Sequence, residues 1–146
     1  MRRKEFIKNC GLICLGSSIV PTLLQSCSSA NYFAKNESLN NKIVVKKSEF
    51  IKRQNDKNSE RKFVIIKSEN LHYPIYLFRF TDNEYSALWM ECTHRSCELE
   101  TQGNYLMCPC HGSEFTNKGI VQNPPAEHNL KTFNVKIDDE NIYIQL

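Results

Sequence analysis

The chain has 146 residues, enough for one domain. Its formal charge of +3 belongs to the N-terminus: residues 1–26 hold Arg2, Arg3, Lys4 and Lys8 against Glu5, and removing them leaves 15 of the 19 basic and 15 of the 16 acidic residues. A neutral body lacks the electrostatic footprint of a nucleic-acid binder, and no charged tail remains.

Met1 to Lys8 is basic, and Cys10 to Leu24 is mostly apolar, interrupted by Gly11, Gly16, Ser17, Ser18 and Pro21. A spanning helix needs about 20 apolar residues. This run is shorter and ends in polar residues, so it reads as the hydrophobic region of a secretory signal over 1–26, with an uncleaved anchor as the alternative. Leu23-Leu24-Gln25-Ser26-Cys27 resembles a bacterial lipobox, with Cys27 as the lipidated first residue of the mature protein; Gln25 is an uncommon choice in that motif. Arg2-Arg3-Lys4-Glu5-Phe6-Ile7-Lys8 resembles a twin-arginine export signal, although the pair before x-Phe-Ile-Lys is Arg3-Lys4; an ordinary Sec signal is the alternative. The expectation is an exported protein, lipid-anchored on the periplasmic side of a bacterial membrane.

Residues 27–42 are polar after Cys27 and lack periodicity, which predicts a flexible tether. About 16 such residues have a mean span of roughly 20–24 Å. From Ile43 the pattern is β. Lys62 to Lys67 is rich in β-branched residues. Pro74 to Phe80 and Glu84 to Met90 flank the turn-forming Thr81-Asp82-Asn83 and predict a hairpin. Phe133, Val135 and Ile137 alternate with polar residues, then Asp138-Asp139-Glu140 precedes the alternating Ile142, Ile144 and Leu146. Period two on both sides of a polar turn predicts two half-buried antiparallel strands. Further turns fall at Gln102-Gly103-Asn104 and Asn117-Lys118-Gly119, and the sequence has no internal repeat. A small all-β domain over 43–146, a sandwich or partly open barrel, is expected.

Seven cysteines sort by position. Cys10 and Cys14 lie in the signal and Cys27 is the lipid candidate. Cys92, Cys97, Cys108 and Cys110 share one 19-residue window, and export permits a disulfide among them. Cys92-x-His94 and Cys108-x-x-His111 each set a thiolate beside an imidazole. Two such loops facing each other could close on zinc or on a [2Fe–2S] cluster. Zinc fingers usually pair Cys with Cys and His with His, whereas each loop here mixes the two. If the four residues meet at one site, Cys97 and Cys110 are carried into disulfide range. His72 and His128 stand alone without ligand-spaced partners, and Tyr76, Phe78 and Phe80 form an aromatic stripe that reads as packing, as do Trp89 and Met90.

Cys92-Thr93-His94-Arg95-Ser96-Cys97 with Cys108-Pro109-Cys110-His111-Gly112-Ser113 resembles the Rieske iron–sulfur proteins, in the disulfide-bearing subclass of cytochrome bc-type complexes and arsenite-oxidase-type small subunits. The resemblance implies a small antiparallel β domain with a two-loop cluster-binding tip. It implies that Cys92 and Cys108 bind one iron, that His94 and His111 bind the other, and that Cys97 pairs with Cys110. Ser113 matches the family serine that donates a hydrogen bond to cluster sulfur. Phe115 stands where high-potential members have a tyrosine donor, which implies a lower potential than theirs. Asn123-Pro124-Pro125-Ala126 stands in the place of the family's proline-bearing shielding loop.

The function implied is a membrane-tethered electron carrier rather than a catalyst alone. It would pass electrons between a quinol or periplasmic oxidoreductase, a molybdenum oxidoreductase included, and a cytochrome-type acceptor, with no nucleic-acid partner. The alternatives are the ferredoxin component of a ring-hydroxylating dioxygenase and a structural Cys2His2 zinc domain. Export and the Cys97/Cys110 pair argue against the ferredoxin.

Overall fold

The computed structural model describes residues 31–54 and 57–146. The signal segment, Cys10, Cys14 and the lipidation candidate Cys27 lie outside the described residues. In chain order the strands are β1 (Asn36–Leu39), β2 (Lys42–Lys46), β3 (Ile51–Gln54), β4 (Lys57–Glu60), β5 (Phe63–Ile66), β6 (Ile75–Thr81), β7 (Glu84–Trp89), β8 (Glu100–Thr101), β9 (Tyr105–Met107), β10 (Glu114–Thr116), β11 (Val121–Asn123), β12 (Thr132–Ile137) and β13 (Asn141–Gln145). One turn of 3-10 helix, Lys47–Phe50, follows β2 and seats Phe50 in the core. The domain is all-β, as expected.

Seven strands form one antiparallel sheet in the order β1-β2-β13-β12-β7-β6-β5. Its edges do not stay open. The chain ahead of β1 lies along β5, with Phe33 opposite Ile65 in parallel register. Ala34 N donates to Ile65 O at 2.8 Å and Ile65 N to Tyr32 O at 2.9 Å. Residues 32–39 therefore pair with β5 and then with β2, which closes the sheet into a barrel and removes the exposed edges that invite aggregation. This corrects the expected tether over 27–42: from Asn31 onward the chain is part of the fold. The misreading has a physical cause. Asn36 to Leu39 is polar because β1 has almost no buried face, so the alternation that marks a half-buried strand is absent.

The strand sequences report how many faces each strand buries. In β5–β7, Val64, Ile66, Ile75, Leu77 and Ala87 fill the barrel, while Ile65, Tyr76, Phe78 and Leu88 point outward into a second core. Strands buried on both faces read as continuous apolar runs, as Phe63-Val64-Ile65-Ile66 does. In β13, Ile142 and Ile144 face the barrel while Tyr143 and Gln145 are partly exposed, which gives the alternation. The Asp138 carboxylate accepts from the Tyr143 hydroxyl at 2.6 Å and from the backbone N–H groups of Glu140 and Asn141. The Tyr143 bond first, and these N–H bonds with it, hold the Asp138 carboxyl down to about 2.

The outward face of β5–β7 is the bed for a four-stranded sheet, β11-β10-β9-β8. Tyr76, Phe78 and Phe80, the aromatic stripe of the sequence, line that face with ring centroids 5.9 and 4.9 Å apart. Leu106 and Phe115 of the smaller sheet, with Leu99 just before β8 and Leu130 in the segment after β11, pack against it. The strands of this sheet have two or three residues each, so its position comes from this shared core. The β3–β4 hairpin, which no sequence signal announced, stands on its own as a two-stranded sheet.

Candidate metal centre

Two loops project from the same end of the smaller sheet. The first, Cys92 to Cys97, precedes β8; the second, Cys108 to Ser113, joins β9 to β10. Each is built on one backbone frame. In the first, Cys92 N donates to Cys97 O at 2.8 Å and Ser96 N to Cys92 O at 2.8 Å. In the second, Cys108 N donates to Ser113 O at 2.8 Å and Gly112 N to Cys108 O at 3.0 Å. The fifth residue of each loop is left-handed, Ser96 at φ 53° and Gly112 at φ 79°. The leading cysteine of each frame is buried beneath the loop, Cys92 and Cys108 at 1 % exposure each.

The frames bring the sequence-selected residues together. The His94 and His111 rings lie edge-to-face with centroids 5.0 Å apart. Cys97 and Cys110 form a disulfide with Cα atoms 6.6 Å apart. The Sγ atoms of Cys97, Cys108 and Cys110 lie within 4.8 Å of one another. Two of those sulfurs are spent in the bridge, so the thiols left free beneath the loops are Cys92 and Cys108. Burial pushes the Cys108 thiol up, while backbone N–H groups of Cys110 and His111 aimed at its sulfur pull it down. Such donors stabilise negative charge on sulfur.

One atom is conspicuous for lacking a partner. His94 Nδ1 is buried and makes no hydrogen bond. A buried imidazole nitrogen without a partner costs free energy, and a metal taking its lone pair removes that cost. Two buried free thiols and two imidazoles on paired loops, one nitrogen orphaned, are the donor types that a Rieske [2Fe–2S] centre uses.

A third segment, the loop carrying Asn123 to His128, is tied to both others. Thr93 Oγ1 donates to His128 O at 2.6 Å, Ala126 N to Ser113 Oγ at 3.0 Å, and Asn123 Nδ2 to Gly112 O at 3.1 Å. Pro124–Pro125 is a cis peptide within it. Ser113 is fully buried, and accepting the Ala126 bond leaves its hydroxyl proton free to be donated. Phe115 is equally buried, on β10 opposite Leu106 of β9. His72 and His128 are exposed and sit outside the cluster of donors; His128 contributes its backbone carbonyl alone.

Sequence reasoning placed Thr93 and Asn123 in their motifs without their bonds, and missed Tyr73. Thr93 and Asn123 bridge to neighbouring loops, and the Tyr73 hydroxyl donates to Ser96 O at 2.5 Å. Each is a side chain bonded to a distant backbone carbonyl, and such a partnership leaves no mark in local spacing.

A model of the Rieske [2Fe-2S] domain matches residues 40–134. The cytochrome b6-f complex iron-sulfur subunit of Synechococcus sp. (strain CC9605) is 36% identical over 55 residues, which cover 36% of this chain and 31% of that protein. The corresponding subunit 1 of Synechocystis sp. is 35% identical over 75 residues, 49% of this chain and 42% of that protein. The chain thus spans a third to less than half of the length of these curated relatives. The crystal structure of the cyanobacterial plasma membrane Rieske protein PetC3 from Synechocystis superposes with a TM-score of 0.51 at 25% identity, covering 58% of this chain and 87% of that one. With the family model spanning more than half of the chain, including both loops and the third loop, this chain belongs to the Rieske [2Fe–2S] family, and its cofactor is a Rieske-type [2Fe–2S] cluster.

Proposed function

We propose that the protein is an exported, lipid-anchored electron carrier in which Cys92 and Cys108 hold one iron and His94 and His111 hold the other. The observation that carries this reading is the buried, unpartnered Nδ1 of His94, its ring 5.0 Å from that of His111, on loops whose leading cysteines are buried free thiols. When bound, the cluster supplies one-electron redox chemistry. The chain's own residues divide the remaining work. Cys92 and Cys108 sit beneath the loops and keep water from the sulfurs. His111 is exposed, so its ring meets a partner and can carry a proton to or from it. The Cys97–Cys110 bridge fixes one loop against the other and removes two competing thiols. Ser113 aims a hydroxyl from below.

Partners follow from that exposed tip. A quinol or a periplasmic oxidoreductase, of the molybdenum type or another, gives the electron, and a cytochrome-type acceptor takes it. Relatives named as cytochrome b6-f subunits and a plasma membrane Rieske neighbour support the quinol and membrane side of this reading. Anchoring rests on the lipobox-like Leu23 to Cys27.

Reduced full-length protein is expected to give a low-average-g EPR signal with the iron and sulfide stoichiometry of one [2Fe–2S] cluster. Cys92→Ser is expected to abolish the signal. An EPR-silent protein carrying zinc instead overturns the proposal.

A further inference from the structure

The closing segment of the barrel fixes where the chain enters the domain. Asn31 Oδ1 meets Thr101 Oγ1 at 2.5 Å, at the end of β8 remote from Cys97. Between Cys27 and Asn31 lie Ser28, Ser29 and Ala30 alone. Four residue steps, fully extended, span at most about 14 Å. A lipid on Cys27 therefore holds Asn31 within about 14 Å of the bilayer, and the surface around Asn31 is the part of the domain kept nearest to it.

That surface has the composition an anionic lipid interface selects. Phe33, next to the entry point, is 48 % exposed, one of few large apolar side chains so placed among the described residues. The Lys67 ammonium sits over its ring at 4.8 Å, and the Arg61 guanidinium over the Tyr32 ring at 3.7 Å. Lys35, also exposed, follows Phe33 by two residues on the same extended stretch. Of the acids beside it, Glu49 is engaged by the Tyr32 hydroxyl and by Lys35 N, both at 2.9 Å, and exposed Glu37 shares a groove with Lys35 and Lys46. An aromatic ring framed by lysines places its apolar body at the acyl boundary and its cations among phosphates.

We infer that the surface carrying Phe33, Lys35 and Lys67 lies against an anionic phospholipid surface, with the short Cys27–Asn31 leash holding it there. The inference rests on the lipid-anchor reading above. The cluster loops leave the β8–β9 hairpin at the end opposite its 102–104 turn, so the entry point at Asn31 is remote from them, while Lys67 lies nearer, in one groove with Tyr73 and Glu98. The redox partner then meets the tip at a fixed height above the membrane.

The test uses the full, acylated, cluster-loaded chain in phosphatidylethanolamine/phosphatidylglycerol vesicles whose lipids are brominated near the headgroup. Phe33→Trp is expected to lose emission relative to unbrominated vesicles, after subtraction of the Trp89 background. Ile120→Trp is the control: it is 51 % exposed and adjoins β11, the opposite edge of the smaller sheet. It is expected to lose none. Adding Lys35→Glu and Lys67→Glu to Phe33→Trp is expected to diminish the loss. Equal emission at Phe33→Trp in both kinds of vesicle, on a chain whose mass shows the acyl group and which floats with the vesicles, overturns this inference and leaves the anchor standing. A chain whose mass shows no acyl group on Cys27 overturns the anchor, and the inference with it.

Discussion

The two cluster loops share one backbone frame and differ in what they hang on it. In both, the first residue is a buried cysteine bonded to the fifth and sixth residues, and the fifth is left-handed. The third position carries His94 in one loop and Cys110 in the other; the sixth carries Cys97 in one and Ser113 in the other. The frame thus supplies equivalent places for the sulfurs, while the positions between decide which loop gives an imidazole early, which a bridge and which a hydroxyl. The repeat exists in hydrogen bonds alone: Cys92-Thr93-His94-Arg95-Ser96-Cys97 and Cys108-Pro109-Cys110-His111-Gly112-Ser113 agree in their first residue and nowhere else. No scan for repeats in the sequence finds it.

The strongest way to break the comparison is to separate the frames. Cys97→Ala with Cys110→Ala removes a bridge across a sequence separation of 13 residues, worth about 3 kcal/mol in a chain-entropy account. The urea midpoint followed by Trp89 fluorescence is expected to fall accordingly, with cluster loss running ahead of global unfolding. A variant that keeps both midpoint and cluster would show that the frames and the third loop suffice to hold the loops together.

The asymmetry at the sixth position gives the next effect. Ser113→Ala strips a buried partner from Ala126 N, a cost of about 1–3 kcal/mol. It also removes a donor available to cluster sulfur, which lowers the midpoint potential. Phe115→Tyr runs the other way. It adds a hydroxyl at a fully buried site and is expected to raise the potential. A redox titration followed by EPR reads both. A rise with Ser113→Ala, or a fall with Phe115→Tyr, contradicts the donor account of tuning.

What the sequence made legible follows the same physics. The loops were readable because ligand chemistry demands particular residue types at short spacing. The β6–β7 and β12–β13 hairpins were readable because burial on one or both faces writes itself as alternation or as an apolar run. Three parts were not. Asn36 to Leu39 and the paired strands β3 and β4 form ladders in which the side chains of 36–39, 51–53 and 58–60 are not buried, so backbone pairing defines them. The strands of the smaller sheet are too short for any period to register. Phe33 carried no signal because its role depends on Ile65, 32 residues further along the chain.

The smallest effect tests the frame itself and has opposite signs in the two loops. Gly112 at φ 79° has nothing within 4 Å of where a Cβ would stand. The cost of Gly112→Ala is therefore backbone strain alone, about 1–2 kcal/mol for a left-handed residue. Ser96 already bears that strain at φ 53°, with its carbonyl gripped by Tyr73. Ser96→Gly relieves it, yet widens the unfolded ensemble by roughly 0.5–1 kcal/mol. The net is expected to be a stabilisation of less than about 1 kcal/mol, seen as a small rise in the urea midpoint with an unchanged EPR signal. Equal destabilisation by the two substitutions would mean that the Ser96 hydroxyl, absent from Gly112, supports the first loop in a way its backbone frame does not require.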